Sequence, residues 1–233
     1  MQIVVNHLTR MRDRRICIAG IDLEAACHVR PVTTQTDLLT RDLLAENGGP
    51  IELAALVDIG RPRPTATRPE AEDHEIATRD LRRVQTLDGD DYFELLDTVA
   101  EPDLEAAFGP DLQRRGRKYA VDEGEGHASL AVIKARIRPE LEIDRYGKVQ
   151  LLFKERDGPT YLSVADIRFV EADHATIRAD IVDDVHARLR RGVGVYVMFG
   201  LSRAFPAKND DQSRHWLQVN GLCLEDRPVG GAP

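Results

Sequence analysis

Lys148-Val-Gln-Leu-Leu-Phe-Lys-Glu-Arg-Asp-Gly-Pro-Thr-Tyr-Leu-Ser-Val-Ala-Asp166 is the stretch that decides the fold. Its two runs, 148–156 and 160–166, alternate apolar and polar residues, as strands with one buried face do. Asp157-Gly158 between them favours the positive φ of a hairpin turn, and Pro159 makes the loop slightly longer than two residues. Upstream, Ser129-Leu-Ala-Val-Ile-Lys-Ala-Arg-Ile-Arg138 reads as a strand ended by Pro139. Downstream, Ile177, Ile181, Val185 and Leu189 recur four apart and predict a helix over 175–191. Acidic residues lie early in it and arginines late, which suits the macrodipole, and Gly192 is a natural stop. Residues 193–203 and 215–224 read as two more strands.

The N-terminal half gives a weaker copy of the same order. Ile3–Val5, Arg15–Ile21 and Cys27–Val32 are short strand candidates. Residues 37–46 predict a helix with Asp37 as N-cap, ended by Asn47-Gly-Gly-Pro50, and Ile51–Ile59 predicts a strand. Arg61-Pro-Arg-Pro64 begins an extended connection, and 91–108 read as one or two helices broken at Pro102. The expected fold is mainly β with α insertions: two OB-like β-barrels in tandem, each half running strand-strand-strand-helix-strand-strand. The expected boundaries are an N-terminal OB-like domain with a helical extension over 1–108, an inter-domain crossing over 109–127, a C-terminal OB-fold domain over 128–227 and a flexible tail over 228–233.

Composition narrows the class. The chain has 233 residues, 42% hydrophobic and 31% charged, enough to bury a core and unlike a disordered chain. No apolar run approaches the roughly 20 residues of a membrane helix, and Met1-Gln-Ile-Val-Val-Asn-His7 lacks the layout of a secretory signal. Cys17, Cys27 and Cys223, without CxxC spacing, argue against a disulfide framework or a zinc site. A soluble, reduced, cytoplasmic protein is expected, with no membrane partner. Net charge is −8, the part up to residue 120 contributing −6. Proteins that coat duplex DNA are normally basic, although a local groove depends on arrangement rather than on the sum.

The C-terminal alternation supplies the candidate site. If the apolar sides face the core, Lys134, Arg136 and Arg138 share an outer side, as do Lys148, Lys154 and Arg156, with Tyr161 among them. OB barrels bind oligonucleotides on the face of strands two and three, flanked by two loops. Those loops would be Glu140–Gly147, with Arg145 and Tyr146, and Ala204–Arg214, with Phe205, Lys208 and Asn209. Cations for phosphates and aromatics for bases are what single-strand binding requires. The same stripe also reads as the solvated side of a one-sided sheet. Arg30, before Pro31, either projects into a pocket of the first barrel or closes an ion pair.

Arg14-Arg-Ile-Cys-Ile-Ala-Gly-Ile-Asp22 followed by His28-Val-Arg-Pro-Val-Thr33 resembles the start of a bacterial family of dual OB-domain proteins. In that family a strand ending in an Ala-Gly step precedes an aromatic-Ile-Arg-Pro-Val-Ser segment. His28 stands where the family has an aromatic residue, which weakens stacking there. The resemblance implies two OB barrels and nucleic-acid or nucleotide association, and no established catalytic residues.

No catalytic, metal or cofactor signature stands out: GxSxG, P-loop and GxGxxG stretches are absent. Glu72-Asp-His-Glu75 and Asp183/His186 bring carboxylates beside histidines, but adjacency in sequence does not establish a site. The expectation is a non-enzymatic protein that binds single-stranded nucleic acid or a nucleotide. The alternatives are a protein-interaction module in a multi-subunit assembly, defence-related ones included, and a metal-dependent nuclease or nucleotide hydrolase.

Overall fold

Ile3, Val4 and Val5 are apolar in a row, so β1 (Gln2–Arg10) is a strand buried on both faces. In the computed structural model, which describes residues 1–34, 37–65, 67–135, 138–155, 158–206 and 211–226, it is an interior strand of a seven-stranded sheet. β1 pairs antiparallel with β2 (Ile16–Asp22), and β2 with β3 (Cys27–Val32). On the other side it pairs with β4 (Ala55–Asp58). β5 (Arg63–Pro64) and β6 (Asp73–Glu75) extend the sheet beyond β3, and β7 (Arg82–Thr86) lies beyond β4. Gly20 permits the close packing of β1 on β2, since a Cβ there would come within 2.7 Å of Val4 O.

The helix expected over 37–46 does not form. Arg41–Leu43 and Ala45–Asn47 are single 3-10 turns. Asp37 spends its carboxylate on the Thr78 backbone N–H (2.7 Å) and hydroxyl instead of capping a helix. Leu39 O accepts from Ile16 N, Leu44 bridges to Ile51, and both leucines are buried. Tertiary pairing outweighs a weak local propensity here.

α1 (Gly89–Val99) and α2 (Leu104–Phe108) begin at Asp88 and Asp103, whose side chains accept from Asp91 N and Ala106 N. β8 (Ala100–Glu101) lies between them. Residues 109–127, expected as the crossing, contain β9 (Gln113–Arg115) and β10 (Lys118–Asp122). Then follow β11 (Leu130–Lys134), β12 (Glu140–Ile143), β13 (Val149–Glu155), β14 (Gly158–Ser163), α3 (Ala179–Arg191), β15 (Val195–Leu201), β16 (Phe205–Pro206) and β17 (Ser213–Leu224). α3 starts four residues later than expected and stops at Gly192, whose φ is 86°.

β8, β11, β15, β17, β10 and β9 form one sheet in that order, with β16 on β17, while β12, β13 and β14 form another. The two meet at a parallel bridge between Val164 and Val219 and at the hydrogen bond from Tyr161 N to Arg117 O, 2.9 Å. The described strands thus make three sheets joined at single bridges rather than two continuous barrel ladders. One apolar core lies under the first sheet and takes in Val132, Tyr196, Met198 and Cys223 from the C-terminal half. The other lies between α3, the meander β12–β14 and the inner faces of β11, β15 and β17. No helix among the described residues is long and apolar enough to cross a membrane.

Candidate nucleic-acid interface

Register sets the outer side of the three-stranded sheet. β13 buries Val149 and Leu151, with Phe153 packed on the same core, so Gln150, Leu152 and Lys154 take the other side. Leu152 stands between Glu140 and Tyr161, and Gln150 between Glu142 and Ser163. β12, which the sequence places in a loop, therefore brings two carboxylates onto the side where a run of cations is expected. Lys154 Nζ lies 2.5 Å from Glu140 Oε1, and that bond holds the Glu140 carboxyl below its usual range.

Further cations come from β9 and β10. Arg114-Arg-Gly-Arg-Lys118 forms the β9–β10 turn, which is fastened along β14. Arg114 donates to Gly158 O (3.0 Å) and Pro159 O (3.3 Å). The Arg117 guanidinium lies 5.6 Å from the Tyr161 ring centroid, and Arg117 and Lys118 are exposed. Gln150 and Leu152 on this side are buried, so what a base could reach is the edge formed by the half-buried Tyr161 ring and the exposed Arg117, a stacking surface with a phosphate contact beside it.

At the opposite end, the turn after β12 is built by Asp144. Its Oδ1 accepts the backbone N–H groups of Lys148 (2.9 Å) and Tyr146 (2.8 Å), which lowers its pKa. This puts Arg145 and Tyr146 at the tip, Tyr146 being 70% exposed with the Arg145 guanidinium 4.8 Å from its ring centroid. Lys148 is exposed beside them.

The other expected residues are dispersed. Lys134 sits on β11, where Nζ meets Glu225 (2.8 Å), the Tyr196 hydroxyl (2.9 Å) and Asp97 (3.6 Å); the hydrogen bonds to Glu225 and Tyr196 raise its pKa. Arg138 lies over Gly192 at the end of α3. Phe205, 48% exposed on β16, accepts at its carbonyl from Trp216 Nε1. Arg30 is buried in the N-terminal half, its Nε 2.5 Å from Asp73 Oδ1. Arg136, Arg156 and Lys208 lie outside the described residues. The structure thus gathers Lys154 and Tyr161 with Arg117, and Lys148 with Tyr146. Arg117 is visible in the sequence only as part of a basic cluster; the short apolar run Tyr119-Ala-Val121 between Lys118 and Asp122 is the signal that this cluster borders a strand.

The carboxylate-histidine neighbours do other work. Glu72 accepts from Ser129 N (2.8 Å), Ser129 Oγ (2.7 Å) and Leu130 N (3.2 Å). His186 Nδ1 donates to Leu141 O at 2.6 Å, pinning α3 to β12. Among the described residues, no group of three or more His, Cys, Asp or Glu is placed to hold a metal ion.

Residues 1–222 match a family model described as a dual OB-containing domain. No curated protein matches the chain.

Proposed function

We propose, from the premise that this chain belongs to the dual OB-containing domain family, that it binds single-stranded nucleic acid or a nucleotide-like ligand along the outer side of β13 and β14. OB domains commonly bind nucleic acids or proteins, and the strand-two and strand-three face is the usual platform. The observation that carries the reading is Arg117 over Tyr161, with Lys118, Lys154 and Arg114 on the elements around it. Tyr161 stacks a base and Arg117 and Lys154 contact the backbone, while Arg145 and Tyr146 extend the platform at its far end. A stacked base is worth about 1–3 kcal/mol. The net charge of −8 opposes a long polyanion and favours a short strand held at this local patch.

Fluorescence anisotropy with labelled DNA and RNA, single-stranded and duplex, tests this at low and moderate salt. Single strands bind preferentially and more weakly as salt rises. Tyr161→Ala weakens binding about tenfold, or about 1.4 kcal/mol, and Arg117→Glu weakens it further. Unchanged binding in both variants would reject this face.

A further inference from the structure

Arg61, Arg63 and Arg79 line an open cleft of about 450 Å³ in the first half, beside the end of β4, the β5–β6 pair and the 3-10 turn Thr78–Asp80. That volume falls in the range of small-molecule sites, about 300–1,000 Å³.

Each of these arginines stands on an anchored backbone. Arg61 follows Gly60, whose φ is 72° and whose N–H donates to Asp58 Oδ1 (2.9 Å). Arg63 pairs with Glu75 across β5 and β6, and its Nη2 meets Glu75 Oε1 at 2.8 Å. Arg79 lies in the turn whose first residue, Thr78, donates its backbone N–H to Asp37 (2.7 Å), and buried Ile76 and Leu81 hold that turn from both sides. Arg82 Nη1 donates to Arg79 O (3.2 Å), which brings a fourth guanidinium to the flank.

The carboxylates of the lining are turned to other partners. Asp37 holds the Thr78 backbone and hydroxyl, and Glu75 holds Arg63. Asp80 lies against Gly60, where a Cβ would come within 3.2 Å of its Oδ2. Arg61 and Arg79 are exposed, and neither guanidinium makes an ion pair or hydrogen bond among the described residues. Exposed arginines are ordinarily solvated one by one. Here those of three separate elements converge on one concavity, where their fields add, in the part of the chain whose net charge is −6.

Guanidinium groups match carboxylate and phosphate oxygens. A carboxylate offers two coplanar oxygens, enough for a single fork. A phosphate monoester offers three at tetrahedral angles and nearly two charges at neutral pH, which suits donors arriving from several elements. No aromatic residue is among those lining the cleft, so nothing there stacks on a base.

We infer that this cleft is a site for a small phosphate monoester, held at its phosphate by Arg61 and Arg79 with Arg63 at the rim, and read by the phosphate rather than by the organic part. It shares no residue with the face of β13 and β14, so each site stands or falls separately.

Calorimetric titration of the full chain at neutral pH and low salt tests it, with inorganic phosphate, ribose 5-phosphate, adenosine 5′-monophosphate, adenosine and acetate as probes. The three phosphates bind with similar affinity, and adenosine and acetate do not bind. Arg61→Ala and Arg79→Ala each weaken ribose 5-phosphate binding about tenfold, and Asp80→Asn strengthens it by removing a repelling charge. None of these three side chains has a partner to lose, and unchanged thermal melts check that the variants fold. No binding of any phosphate at millimolar concentration, acetate or adenosine binding as tightly as the phosphates, or binding that survives the Arg61→Ala/Arg79→Ala double variant would overturn the inference. Tyr161→Ala separates the two sites: ribose 5-phosphate binding is unchanged while oligonucleotide binding weakens. Loss of ribose 5-phosphate binding in Tyr161→Ala would overturn the cleft; absence of oligonucleotide binding with ribose 5-phosphate still bound would overturn the other face alone.

Discussion

Arg203 and Asp73 meet across the two halves of the chain, with Nη2 2.6 Å from Oδ2, while Oδ1 of the same carboxylate receives Arg30 Nε at 2.5 Å. The three are not equivalent. Arg30 and Asp73 are each 5% exposed, and Arg203 is 55% exposed. Removing the carboxylate strands the buried Arg30 without an ion partner, which costs about 3–5 kcal/mol, whereas removing Arg203 leaves Asp73 on Arg30 and Glu70 beside His215, a smaller loss. Asp73→Ala therefore destabilises more than Arg203→Ala in urea melts. Equal losses would show that Asp73 carries no special weight.

Glu72 fastens the beginning of β11 to the first half by accepting from Ser129 twice and from Leu130 once. Glu72→Gln turns one acceptor oxygen into a donor facing donors, and lowers stability by about 1–3 kcal/mol. Glu75→Gln loses only an exposed pair with Arg63 and changes stability by less than about 0.5 kcal/mol. Thermal melts of the two variants, side by side, check the contrast.

Gly20 is the position in β2 where a side chain has no room. A methyl there would meet Val4 O at 2.7 Å and the Ile3 side chain at 3.0 Å. Because the first contact is backbone, β1 and β2 must separate, and Gly20→Ala costs about 1–3 kcal/mol. Gly89→Ala, whose Cβ would meet nothing within 4 Å, is the control. Denaturation midpoints that match for the two variants would refute the packing argument.

Burial lowers the His28 pKa to about 4 and lowers that of His7 well below its usual value. Both rings are neutral when folded and titrate near 6.5 when unfolded. The unfolded chain therefore takes up protons first as pH falls, so stability is full above about 6.5 and declines from there toward 4. His28 alone contributes a decline of roughly 2–3 kcal/mol over that window. His28→Phe flattens the stability profile between pH 6.5 and 4; an unchanged slope would mean that the ring is solvated in the folded state.

The sequence carried the strands with clear alternation or an unbroken apolar run, and the helix with a clean stripe. β13 and β14 fall where period two puts them, β15 and β17 where apolar runs do, and α3 where period 3.6 does, while Asp88, Asp103 and Gly192 mark helix ends as their chemistry predicts. β12 was also present, as Glu140-Leu-Glu-Ile143, but four residues after a proline are too short to stand out from a loop. Residues 37–46 failed for the opposite reason. Their leucines suggest a helix, yet Asp37 and Leu39 bond to Thr78 and Ile16, partners far along the chain.

What the sequence determined by itself is which residues seek burial and which period they follow, because both are local properties of side chains. Register and neighbour are not local. Only the tertiary structure placed Glu140 beside Lys154, so that a cationic stripe became a mixed surface, and laid Arg117 on Tyr161, so that a basic cluster came to lie against the meander. The same holds for Arg30: its sequence shows an arginine before a proline. Its meaning depends on Asp73 and on Arg203, which lies 173 residues further along and reaches it through that shared carboxylate. Charges act through space, and the spacing is set by folding.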